Sequence, residues 1–227
     1  MPIRAMLFDM DGLLIDTEDL HMRAFARTAT QLGLPSQPKD YAVWIGKSSG
    51  RLAEWLHERV TPKVSAHEIL CLEQEAFAEI LLHEKPLPLP GVSDMLDACE
   101  AAKLWRGLVS SSVYEQVRLT MEVVLTHLRR PPALEATFHA ITTGDRVQRL
   151  KPAPDPYLRT ADLLGLAPGE CLVFEDSPAG VASARAAGCH VVAIPNMYLD
   201  SAEIVREAHA HFKTLQDACA ARVWEKI

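Results

Sequence analysis

Five apolar runs of strand length, at residues 3–8, 105–109, 138–142, 171–174 and 190–194, constrain this chain more than any other feature. Each is too short for a helix and lacks the alternation of a half-wet strand, so each predicts a strand buried on both faces, as in a parallel sheet. Between the runs the apolar spacing becomes helical. Residues 92–103 place Val92, Met95, Leu96 and Cys99 on one face, residues 156–164 do the same with Tyr157, Ala161 and Leu164, and residues 179–187 are short and Ala-rich. Gly165 and Gly188 stand where caps would stop two of these helices. Strands alternating with helices predict an α/β domain with right-handed crossovers.

Residues 17–84 break that alternation. Leu20, Phe25, Ala29 and Leu32, then Leu52, Trp55 and Leu56, then Ile69, Leu72, Phe77 and Ile80 recur at helical spacing with no convincing strand. At about 150 residues per domain, 227 residues leave room for one large core and a smaller module, and this stretch is that module. Alternating prolines at 85–91 predict a stiff, extended return to the core. A helical insertion after the first strand sits over that strand's C-terminal end, where open α/β sheets bind ligands, and is placed to act as a lid.

Charge narrows the partners. Lys and Arg total 23 against 30 Asp and Glu, a net −7, and no basic run exceeds Arg129-Arg130, so a nucleic-acid surface and an anionic membrane surface are both disfavoured. Any anion must be met at a local site. Five cysteines, an odd number without a C-x-x-C pair, predict buried thiols of a reducing compartment. Neither a signal peptide nor a membrane span is visible, so the expected location is cytoplasmic, and a monomer is the default.

Asp9-Met10-Asp11-Gly12 puts two carboxylates at the end of the first apolar run. In extended backbone their side chains project to one side, and a divalent cation with oxygen ligands is the common way to offset the repulsion. A plain β-turn is the alternative for these four residues alone. A calcium loop of the EF-hand type is excluded, because Leu14 and Leu20 stand where it needs Gly and Glu. Glu175-Asp176 ends a second buried run and precedes a helix start at Ser177-Pro178. Helix capping explains that pair by itself, but two acidic strand ends are hard to read as two turns. Ser110, Ser111 and Ser112 follow a third run and open a helix, a place for phosphate oxygens. Lys151 is a cation fixed by a proline-rich loop. Gly46-Lys47-Ser48 ends like a P-loop, but Tyr41 stands where the pattern needs glycine.

In these motifs the chain resembles the haloacid-dehalogenase-like hydrolase superfamily, in its phosphatase and β-phosphoglucomutase-like branch. The matching segments are residues 9–18, 109–111, 151–152 and 175–180, in order and with similar spacing. The resemblance implies a Rossmann-like parallel sheet with helices on both faces (residues 1–16 and 86–227) and an inserted all-helical cap (17–85). It implies Asp9 as nucleophile, forming an aspartyl-phosphate, and Asp11 as general acid and then base. Mg²⁺ would be held by Asp9, the Asp11 backbone carbonyl, Asp176 and Glu175, the last directly or through water. Ser110, Ser111, Gly12 and Lys151 would meet the phosphate, and His21 would orient Asp11; Asp145 matches a recurrent position without an assigned role.

The implied activity is Mg²⁺-dependent hydrolysis of a small phosphorylated metabolite, a sugar or polyol phosphate. Related mutases carry a cap arginine soon after a glycine equivalent to Gly46; Ser49 stands in that place, with Lys47 and Arg51 as possible replacements, which favours hydrolysis over a phosphosugar mutase. A non-catalytic scaffold would be expected to have lost one of these carboxylates, and a dehalogenase to lack Asp11. Residues 120–138 read as an irregular surface excursion.

Overall fold

The computed structural model describes residues 2–34, 40–41, 44, 49–60, 63–195 and 201–227. In chain order its elements are strand β1 (Ala5–Phe8), helices α1 (Glu18–Gln31), α2 (Ser49–Arg59), α3 (Ala66–Glu84) and α4 (Val92–Ala101), then β2 (Trp105–Val109), α5 (Tyr114–His127), α6 (Leu134–Thr137) and β3 (Ala140–Thr142). There follow α7 (Asp155–Leu163), β4 (Cys171–Glu175), α8 (Pro178–Ala186), β5 (His190–Ala193), α9 (Ser201–Glu207), β6 (Ala210–His211) and α10 (Leu215–Ala220). The strands form one six-stranded sheet in the order β3-β2-β1-β4-β5-β6, parallel throughout. This is the Rossmann-like α/β arrangement, and all five apolar runs contribute a strand to it. Only β6, two residues long at the sheet edge, had no such run.

Both faces of the sheet are buried, as continuous apolar runs require. On β1, Met6 and Phe8 pack into one core while Ala5 and Leu7 pack into the other; on β4, Leu172 and Phe174 are divided from Cys171 and Val173 in the same way. Phe8 and Phe174 stack across the pair with centroids 5.4 Å apart. Burying one such ring stabilises the fold by roughly 1.5–3 kcal/mol. Gly165 (φ +65°) and Gly188 (φ +84°) take left-handed backbone after α7 and α8, as helix-stopping glycines should.

The reading of residues 120–138 needs correction. Residues 120–127 are the second half of α5, with Thr120, Met121, Val123, Val124 and Leu125 all buried. Leu134 and Phe138 also enter the core. The Arg-Arg-Pro-Pro sequence disguised a core helix because its breakers fall just beyond the helix end. Likewise three of the five cysteines are buried, while Cys71 and Cys219 are only half-buried; all five are free thiols.

The chain divides into two units, Met1–Asp16 with Leu87–Ile227, and Thr17–Pro86. The second consists of α1, α2 and α3 around Phe25, Tyr41, Leu52, Leu56 and Ile69. Its longest helix, α3, starts at a reciprocal cap in which Ser65 Oγ accepts from the Glu68 N–H and Glu68 accepts from the Ser65 N–H. In the first unit, the Leu89 N–H donates to the Leu14 carbonyl (2.9 Å) and Pro88 bridges to Ile15, so the returning segment is extended. Among the described residues no helix is long and apolar enough to cross a membrane.

Candidate active site

β1 and β4 lie at the centre of the sheet, where the strand order changes direction, and loops after such strands border the crevice of an open parallel sheet. The Asp9 N–H continues the ladder by donating to the Phe174 carbonyl (3.1 Å). Strand alternation then puts Asp9 on the Leu7 face and Glu175 on the Val173 face, the same side of the sheet. One oxygen each from Asp9, Glu175 and Asp176 lies within 4.8 Å of the others, and all three residues are buried. Two acidic strand ends therefore do converge.

Lys151, on the loop before α7, is the cation in their midst. Its ammonium donates to Asp9 Oδ1, to Glu175 Oε1 (2.6 Å) and to the Val109 carbonyl (3.2 Å), and its side chain is 6% exposed. Burial alone would favour the neutral amine, but Asp9 and Glu175 outweigh it and hold Lys151 above the ordinary lysine range. One ammonium among three carboxylates leaves a negative balance. Burial pushes the Asp9 carboxyl well above the usual carboxylate range; Lys151 opposes this, while Glu175 and Asp11 add to it.

Glu175 is held from every side. Its Oε1 accepts from Lys151 and from the Tyr157 hydroxyl (2.5 Å); its Oε2 accepts from the N–H groups of Asp176 (3.1 Å) and Ser177 (3.4 Å) and from Ser177 Oγ (3.2 Å). Burial, then the charges of Glu175 and Asp9, push the Tyr157 hydroxyl well above its normal range, so it stays a donor. Gly180 closes the remaining side: a Cβ there would sit 1.9–2.0 Å from the carboxylate atoms.

Asp11 is near enough for its charge to act on Asp9, but its hydrogen bonds run to another loop. β1 ends at Phe8, and a turn follows in which Leu14 N–H donates to the Met10 carbonyl (2.9 Å). Half-buried, Asp11 turns its Oδ2 to the hydroxyls of Ser110 (3.3 Å) and Ser112 (3.4 Å), and its carboxylate is outside the three-carboxylate group. Gly12 serves that turn with φ +77°; its N–H donates to Ile15 (2.9 Å) and is therefore not an anion donor in this geometry.

At the end of β2, the Ser110 N–H is taken by Thr142 (3.0 Å), which leaves the hydroxyl as its contribution. Ser111 is half-buried, and its carbonyl lies so close to Gly144 that a Cβ there would come within 2.1 Å. Asp145 acquires a role: its Oδ1 accepts from the Tyr114 N–H (3.0 Å), capping α5 from another loop.

The cap residues stand in the second unit. His21 Nδ1 is 3.0 Å from Glu73 Oε1, with the His21 ring stacked on Phe77 at 4.3 Å. Arg51 is exposed on α2, which starts at Ser49; Lys47 lies outside the described residues. Ser112, expected to meet phosphate oxygens, instead donates to Asp11, and reasoning from sequence missed Ser177 and Tyr157 as parts of the site. Ser177 had a signal, a helix start, whereas Tyr157 was legible only as a core position on α7.

Residues 3–188 match the profile of the haloacid dehalogenase-like hydrolases. The chain is 35% identical to protein CbbY of Rhodobacter capsulatus over 204 residues, 87% of this chain and 88% of that one. It is 32% identical over 189 residues to the fructose-1-phosphate phosphatase YqaB of Escherichia coli (strain K12), 82% and 94% of the two chains. In structure it is similar to a mutant CbbY of Rhodobacter sphaeroides in complex with xylulose-(1,5)bisphosphate, with a TM-score of 0.82, 25% identity, and coverage of 95% and 96%. Match, identities and shared fold span the core strands and the site between β1 and β4, and the chain belongs to the haloacid dehalogenase-like hydrolase family.

Proposed function

We propose that this phosphoric monoester hydrolase is a Mg²⁺-dependent phosphatase that removes phosphate from a small sugar or polyol phosphate through an aspartyl-phosphate on Asp9. The observation that carries the reading is the buried Asp9 with Lys151 against it and Glu175 and Asp176 beside it. The substrate class draws support from the relatives, one a fructose-1-phosphate phosphatase and another seen with a sugar bisphosphate.

Three buried carboxylates with a net negative balance are a hard-oxygen donor set that suits Mg²⁺, which Asp9, Asp176 and Glu175 would hold. When bound, the ion supplies positive charge that lowers repulsion between a phosphate and Asp9. Asp9 attacks phosphorus, and the bond to the leaving oxygen breaks. Asp11 gives its proton to that oxygen, then takes one from the water that attacks phosphorus and frees Asp9. The contacts from the Ser110 and Ser112 hydroxyls to Asp11, at 3.3 and 3.4 Å, are longer than ordinary O–H···O bonds, so exchanging them for a substrate oxygen costs little. Lys151 and Ser110 bind oxygens of the phosphoryl group. Residues 17–85 form the cap that selects the substrate.

The test is phosphate release from a panel of sugar and polyol phosphates with Mg²⁺, using Asp9→Asn as control. Release that the control lacks supports the reading. Isomerisation of a sugar phosphate outrunning release would replace hydrolysis by mutase activity, and no turnover on a broad panel would overturn both.

A further inference from the structure

We infer that Tyr157 is a positioning residue of the phosphoryl-transfer site: its hydroxyl fixes Glu175 and thereby holds the Lys151 ammonium against Asp9. The inference rests on Asp9 as the phosphorylated group. Tyr157 reaches this place through ordinary core packing. It is fully buried on α7 and packs with Leu7, Val109 and Val173 on the sheet face that carries Asp9 and Glu175. At the end of that apolar ring the hydroxyl meets the very oxygen, Glu175 Oε1, that also accepts from Lys151. The ring lies under the ammonium as well, with Nζ 5.2 Å from its centroid.

Glu175 has little freedom to take up another position. Ser177 and the Asp176 N–H hold its second oxygen, and Gly180 lies against the carboxylate. Lys151 spends its three N–H bonds on Asp9, Glu175 and Val109. The ammonium is thus shared between two carboxylates, and the Tyr157 hydroxyl satisfies part of one of them. Without that hydroxyl, Glu175 draws Lys151 more strongly, and the cation shifts away from Asp9 and from the phosphoryl oxygens it is to bind. A tyrosine that only filled the core would show no such link, because Phe replaces its ring without loss of apolar packing.

The experiment measures binding of Mg²⁺ alone, and of beryllium trifluoride with Mg²⁺, by calorimetry and fluorine NMR. Beryllium trifluoride adds to an aspartate as a mimic of aspartyl-phosphate, so the readout is independent of substrate identity and turnover. In Tyr157→Phe we expect Mg²⁺ affinity within about threefold of wild type, beryllium trifluoride bound roughly tenfold more weakly, and a changed fluorine shift for the atom facing Lys151. On a Lys151→Ala background the same substitution should cause no further loss, since a residue acting through Lys151 is coupled to it. Ser177→Ala loosens the same carboxylate from its other oxygen and should give a smaller effect of the same kind, which serves if Tyr157→Phe does not fold. Wild-type binding of the mimic by Tyr157→Phe, equal losses with and without Lys151, or a Mg²⁺ loss as large as the mimic's would each overturn the assignment. A wild type that neither releases phosphate nor takes up the mimic would overturn the phosphatase reading and this inference with it; failure confined to the variants leaves that reading standing.

Discussion

Replacing Gly180 by Ala sets helix propensity against the geometry of the site. Gly180 is in the first turn of α8, where Ala is ordinarily better than Gly by up to about 1 kcal/mol. Here the added Cβ would lie 1.9–2.0 Å from the Glu175 carboxylate, against a comfortable separation of roughly 3.5 Å. Either α8 shifts or Glu175 retreats by about 1.5 Å, and a retreat of that size breaks its bonds to Lys151 (2.6 Å) and Tyr157 (2.5 Å). Hydrogen bonds to charged groups contribute about 1.5–3 kcal/mol each, so the net change is a destabilisation of roughly 2–5 kcal/mol once the helix gain is subtracted. For a chain of this size that is a fall of roughly 5–15 °C in Tm. Urea titration gives the free energy and phosphate release gives kcat, which should drop with the loss of Lys151's anchor. Gly180→Ala that gains stability and keeps wild-type kcat would refute the close packing of Gly180 on Glu175 and the dependence of Lys151 on it.

Asp9→Asn should abolish phosphate release while changing the pH dependence of stability. Because Asp9's carboxyl is raised above its usual 3.8 by burial, the folded metal-free protein binds that proton more tightly than the unfolded chain, so its contribution is full below 3.8 and is lost as pH rises through the raised value. Denaturant titrations across that window should show wild type falling relative to Asp9→Asn; parallel curves would count against the buried, repelled carboxylate. Mg²⁺ at 100 times its dissociation constant should stabilise wild type by about 2.7 kcal/mol, and Asp176→Asn should lose most of that shift in a thermal melt. Asp145→Ala should cost about 0.5–1 kcal/mol by removing the cap on α5, the small value reflecting the exposure of Asp145. Burial works against the Asp145 charge, but hydrogen bonds from Thr143 and the backbone outweigh it and lower its pKa below 3.8, so this stabilisation is present above 3.8 and disappears as pH falls through the lowered value. Equal stability of the two proteins at neutral pH would contradict the cap.

The strands were legible because a parallel sheet covered on both faces leaves little choice: residues 107–109 and 171–174 are apolar whichever way they face. β6 was not, since a two-residue edge strand needs no run of its own. At the site, Asp9, Glu175 and Asp176 stood out as charges at the ends of apolar segments, and Lys151 as a cation in a proline-rich loop. Tyr157 did not, because a tyrosine at helical spacing looks the same whether its hydroxyl meets water or a buried carboxylate. Nor did the sequence show that Asp11 turns to Ser110 and Ser112. The alternation rule applies only while the chain remains extended, and Gly12 marks the turn that ends it.

That turn gives two aspartates from one short motif their separate surroundings. Asp9 still belongs to the sheet: its N–H bonds to Phe174, and its side chain falls among Lys151 and the carboxylates of β4. Asp11 has left the sheet and faces the serine hydroxyls after β2, half-buried rather than buried. A nucleophile must be ionised next to a phosphate, which calls for cations close by; a proton donor must hold a proton and stand within reach of the leaving oxygen. Two residues in one continuous strand would share a face and therefore an environment. In the proposed roles, ending β1 at Phe8 lets a single motif supply both kinds of carboxylate, and although the chain carries a net −7, the Lys151 ammonium sets a positive charge against Asp9.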